Sequence, residues 1–121
     1  MKQLKFSDYL PKDEEKTFED REFFNQEPKT VLVGVLKNIR TINTKFGETK
    51  VIDMDVERYG NYETEQPLAY KEKITMVVNT VLDRLLRDKK VEIGNRIAVI
   101  YHGMVNGKKS RYKNYSLTIL D

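Results

Sequence analysis

The chain has no cysteine and no tryptophan, and only one histidine and three prolines among its 121 residues. Without cysteine there are no disulfides and no thiolate metal sites, and a reducing compartment is allowed. No apolar run approaches the ~18 residues of a helical membrane span, and the N-terminal stretch has no signal-peptide core. Together these absences point to a soluble cytoplasmic protein without a membrane partner. His102 is the single histidine, and it has no cysteine, serine elbow or second histidine to work with. It reads as a structural residue inside a strand. There is no internal repeat and no low-complexity tract, and 121 residues suit one domain able to bury its own core.

Rings and charges are plentiful by contrast. Seven tyrosines and five phenylalanines supply rings that are comfortable at a wet surface. The net charge of +3 conceals a division. Residues 1–28 carry five Lys/Arg and eight Asp/Glu, whereas residues 29–121 carry seventeen and eleven. A basic body behind an acidic leader suits a polyanionic partner, although an ordinary charged surface gives the same count.

The most informative stretch runs from Thr30 to Val56. Val31 to Ile42 is rich in β-branched residues and reads as a strand, with Gly34 marking a bulge, a bend or a close backbone approach. Asn43 to Glu48 reads as a turn carrying a lone ring, Phe46. Ile52, Met54 and Val56 then alternate with Val51, Asp53, Asp55 and Glu57, the pattern of a strand with one buried face. Before this stretch, residues 1–28 form a charged leader that packs on the body or on a partner subunit, with a short helix expected from Lys12 to Asn25.

After it, Arg58 to Lys73 reads as a loop holding Tyr59, Tyr62 and Tyr70. A third strand is expected over Glu72 to Asn79. Thr80 to Lys90 reads as a helix, with Thr80 and Asp83 resembling a capping box and Val81, Leu82, Leu85 and Leu86 forming an apolar stripe for the core. Gly94 stops it. A fourth strand is expected from Asn95 to Val105, with Gly103 at a bend, then a hairpin at Asn106–Gly107 and a last strand over Tyr112 to Leu120.

The order β-β-β-α-β-β resembles an OB-fold, and is similar above all to single-stranded-DNA-binding proteins. The resemblance spans residues 29–121. It rests on Val31-Leu32-Val33-Gly34 opening the first strand and on Lys45-Phe46-Gly47-Glu48 leading into the second. Ile93-Gly94-Asn95-Arg96-Ile97-Ala98-Val99 after the helix and Ser110-Arg111-Tyr112 before the last strand complete it. The tryptophan platforms and long acidic tail of the bacterial housekeeping proteins are missing, so the likeness is to the small phage-type versions. It implies a five-stranded barrel, sequence-tolerant binding of single-stranded DNA in replication or recombination, homo-oligomers, contacts with replication or recombination proteins, the host cytoplasm as location, and no cofactor.

Such binding needs rings for stacking and cations for phosphates. The candidates are Lys45, Phe46 and Lys50; Arg58, Tyr59, Tyr62, Tyr70, Lys71 and Lys73; and Lys108, Lys109, Arg111, Tyr112 and Lys113, in loops expected on one side of the barrel. Three alternatives stand beside this reading. One is an RNA-binding module, since no residue clearly reads a 2′-hydroxyl and so nothing separates DNA from RNA. Another is an interaction domain in which the rings anchor a protein partner. The third is a magnesium nuclease using Asp53 and Asp55, with Glu48 and Lys50 as a minimal E-x-K. The same carboxylates, with Glu57, can instead pair with Lys73 across the strands.

Overall fold

A computed structural model describes residues 21–120; most of the helix expected from Lys12 to Asn25 lies outside the described residues. The described chain forms strands β1 (Glu22–Phe23), β2 (Thr30–Thr44), β3 (Gly47–Asn61) and β4 (Lys73–Val77), helix α1 (Thr80–Asp88), and strands β5 (Arg96–Asn106) and β6 (Arg111–Ile119). From β2 onward this is the expected β-β-β-α-β-β order. All six strands join one sheet in the order β1-β4-β3-β2-β5-β6. β1 lies parallel to β4, and every other neighbouring pair is antiparallel. The span expected to end a helix at Asn25 is therefore extended at Glu22–Phe23, where Phe24 N–H donates to Thr75 O at 2.9 Å.

β2 and β3 form a hairpin of fifteen residues on each side, closed by Thr44 opposite Gly47. The inward face follows the period-two pattern. Leu36 faces Met54 and Gly34 faces Val56, and Ile52, Met54, Ile74, Met76, Ile97, Val99 and Leu117 join Leu32 and Leu36 in the core. Gly34 is the close approach its place in the strand suggests. A Cβ built on it would lie 2.3 Å from Asp55 O, a separation no side chain tolerates.

Three bulges bend this sheet. The register shifts between Val33 and Gly34 against β3, between Leu36 and Asn38, and between Tyr101 and Gly103 against β6. Gly103 takes φ +110° there, backbone that glycine reaches without a Cβ penalty. Bulges raise local twist and curl a sheet over its core. α1 packs on this core, burying Leu82 and Leu86 with Val81 and Leu85 packed beside them. Its N-cap is Asn79, one residue before the expected Thr80, and the Asn79 side chain accepts from Leu82 N–H at 2.9 Å. Asn79 also donates to Lys113 O at 2.9 Å, joining the end of β4 to the start of β6. Asp83, freed from capping, pairs with Lys50 at 2.6 Å and with Arg87 at 3.3 Å. The Lys50 hydrogen bond holds the Asp83 carboxyl below the usual carboxylate range.

Candidate nucleic-acid interface

The outward face of β2 and β3, with the loop after β3, forms a groove of about 550 Å3. Its floor comes from Val31 and Val33, which point outward because they alternate with Leu32 and Gly34. Its walls include Arg58, Tyr62, Tyr70 and Glu65. Arg58 reaches this face through the first bulge. Val56 pairs with Gly34 and Arg58 pairs with Val33, so Glu57 is the inserted residue and the alternation reverses beyond it.

That reversal corrects one expected stacking residue. Tyr59 turns inward opposite Leu32 and is only 6% exposed. Phe24 packs edge-on against its ring at 5.0 Å, and its hydroxyl accepts from Glu27 N–H at 2.9 Å. Tyr59 is core and offers no face to a base.

The loop above the groove is tightly bonded. Asn61 Oδ1 accepts from Glu63 N–H and Thr64 N–H at 2.8 and 3.0 Å, and Asn61 N–H donates to Gln66 O at 3.0 Å. The bonds set Glu65 at φ +59°. Tyr70 is 42% exposed, and its hydroxyl donates to Glu57 O at 2.7 Å, fixing the ring against the strand. Tyr62 is 36% exposed and meets His102 edge-on, with ring centroids 5.8 Å apart. His102 Nδ1 lies 3.2 Å from the Tyr62 hydroxyl, and Nε2 lies 2.7 Å from Ser116 Oγ. An exposed histidine bonded at both nitrogens carries the ringed surface from β3 to β5 and β6. Plain alternation after the buried Tyr101 turns His102 outward, but no local pattern shows that Tyr62 and Ser116 meet it there.

The remaining candidates fall into two groups. By register, Tyr101 pairs with Thr30, so β5 runs on past the start of β2, and the β5–β6 turn lies at the same end of the ribbon as the groove's loop. There Lys108, Lys109, Arg111 and Tyr112 are exposed, with Tyr112 packed over Gly107. Lys113 sits with its ammonium 5.9 Å from the buried Tyr101 ring. Lys71 is exposed beside Tyr70, and Lys73 lies in β4 opposite Asp55. Lys45 and Phe46 occupy the far end of the β2–β3 ribbon, fifteen residues along β3 and so about 50 Å of strand away. Phe46 is 89% exposed, with Lys45 Nζ 5.4 Å from its ring. Lys50 is tied to Asp83. The expected convergence of three loops is thus a convergence of two, with the third at the other end.

The acidic face of β3 is also resolved. Asp53 is buried, with Arg40 Nε and Nη2 donating to its two oxygens at 2.9 and 3.2 Å and Thr75 Oγ1 donating at 2.7 Å. Asp55 takes Arg21 at 2.9 Å and Lys37 at 4.0 Å, and Glu57 takes Arg96 at 3.0 Å. The arginine partners lie outside the expected pairing with Lys73. Both Asp53 oxygens are already bound to cation and hydroxyl donors, so this pair is poorly disposed to hold magnesium. Among the described residues no group of three or more histidines and carboxylates could hold a metal ion. No helix among the described residues is long and apolar enough to cross a membrane. Comparison with family models, with curated proteins and with solved structures gives no match.

Proposed function

We propose that the protein binds single-stranded nucleic acid, DNA in the first instance, on the outward face of an OB-type barrel. The observation that carries this reading is the grouping of Arg58, Tyr62 and Tyr70 around one groove, continued by His102 toward the cations of the β5–β6 turn. Exposed rings give bases a stacking surface worth ~1–3 kcal/mol per base, and cations beside them take the phosphates. The β-β-β-α-β-β order and the bulged sheet, with Asn79 linking the end of β4 to β6, support the OB-type reading. The acidic leader and the ringed surface also suit a homo-oligomer that would lengthen the binding track, and a role beside replication or recombination proteins follows from such binding.

The test is fluorescence anisotropy of the full chain with labelled single-stranded and duplex DNA of one length. Binding should favour the single strand. Replacing Tyr62 and Tyr70 together with alanine should weaken it by at least about tenfold, because two stacking contacts are lost. A preference for duplex, or equal binding after the double replacement, would transfer the rings to the role of protein-interface anchors.

A further inference from the structure

The charges of the groove are not balanced in the way that the rest of this face is. Glu57 is held by Arg96, Asp55 by Arg21 and Lys37, Asp53 by Arg40, and Glu63 by Lys29 at 3.1 Å. Arg58 and Glu65 both line the groove, yet among the described residues neither has an ion-pair partner, and they do not pair with each other. One guanidinium and one carboxylate are therefore left to a ligand, above an apolar floor and between two tyrosines. The Asn61-bonded turn sets the backbone from which this carboxylate projects, with Glu65 at φ +59°.

We infer that this groove takes a guanine base, read by Glu65, with Arg58 on the adjoining phosphate. The inference rests on the single-strand reading above and adds a base preference to it. Guanine presents N1–H and N2–H side by side on its Watson–Crick edge, so a carboxylate accepts two parallel hydrogen bonds from it. Adenine and cytosine offer that edge one amino group beside an acceptor nitrogen. Thymine and uracil flank their single N–H with two carbonyls that repel a carboxylate. Charge-assisted bidentate bonds of this kind are the strong ones, and single-stranded bases expose this edge to the protein. The volume of about 550 Å3 lies within the roughly 300–1,000 Å3 of small-ligand sites. Elsewhere on the track stacking remains indifferent to sequence, so the preference is confined to one position.

The experiment compares oligothymidylates of one length carrying a single internal guanine, inosine, adenine or no substitution, by competition against a labelled thymidine strand. Inosine keeps N1–H and lacks the N2 amino group, so it isolates the second hydrogen bond. The guanine strand should bind about tenfold more tightly than the thymidine strand, with inosine between them. Glu65→Gln, at an exposed loop position, should abolish most of the preference for guanine over thymidine, since the neutral amide no longer accepts two charge-assisted bonds. Arg58→Ala should weaken all four alike. Equal binding of guanine and thymidine strands by the unaltered protein overturns the guanine assignment and leaves single-strand binding standing. A guanine preference that survives Glu65→Gln removes Glu65 from its role. Failure to bind any strand overturns both readings.

Discussion

Asp53 sits on the outward face of β3 but is almost wholly enclosed, with Arg40 on both oxygens and the Thr75 hydroxyl on one. The pair works because every donor and acceptor is used. Removing the carboxylate strands a guanidinium whose side chain is one-third exposed, so water recovers part of the loss. Asp53→Ala should therefore cost about 2–3 kcal/mol, below the full ~3–5 of a deeply buried pair, as read by urea denaturation. A cost under ~0.5 kcal/mol would mean the pair is only a surface contact. Tyr115 is the other residue with a distinct electrostatic signature. Burial, with Tyr101 beside it, pushes its phenol up from the ordinary 10 to about 12. The neutral form is the folded one, so its stabilisation is complete below about pH 10, where the unfolded chain begins to ionise. It is lost as pH rises through about 12. Stability should fall across that window, and Tyr115→Phe should flatten the fall; an unchanged alkaline profile in the variant would assign the loss to other groups.

At the scale of the strands, the bulges decide which side chains meet a ligand. Gly34 permits the first, since any Cβ there runs into Asp55 O and Val56 Cα. Gly34→Ala should cost at least about 3 kcal/mol, because the obstructing atoms are backbone and cannot step aside. A variant with near-normal urea midpoint would show that β2 and β3 can part there without penalty. The same devices explain what was legible in the sequence. Alternation at Ile52, Met54 and Val56 placed β3 and its buried face, and the glycines marked where the sheet bends. The five strands from β2 onward and the helix between β4 and β5 followed from those patterns, whereas β1 at Glu22–Phe23 lies where a helix was expected. Alternation cannot reveal where one residue is inserted, however. Glu57 reverses the faces of Arg58 and Tyr59, turning an expected stacking ring into core and an expected loop cation into a groove wall. Lys37 does the same for Arg40, aiming it at Asp53. His102, already outward by alternation after Tyr101, is the residue inserted at the third shift. The Asn79 cap displaced the expected Thr80 because its side chain serves Leu82 N–H and Lys113 O together, a long-range bond that no local pattern encodes.

Across the whole molecule, the proposed binding depends on how charge is spread over one curved sheet. Carboxylates on the outward face are largely neutralised by arginines and lysines of neighbouring strands. Arg58 at the groove has no ion-pair partner among the described residues, and Lys71, Lys108, Lys109 and Arg111 are exposed near it or at the β5–β6 turn. A polyanion entering across these strands meets cations at both ends and rings between them. Counterion release then governs affinity, and log affinity falls linearly with log salt at about −0.7 per neutralised phosphate of a single strand. The decisive measurement is that titration, made with the full chain and with Arg58→Ala on one single-stranded DNA. The unaltered protein should lose affinity steadily with salt, and the variant should bind more weakly with a slope smaller by about 0.7, one phosphate contact fewer. Affinity that is indifferent to salt, or a slope that Arg58→Ala leaves unchanged, would contradict phosphate binding at the groove.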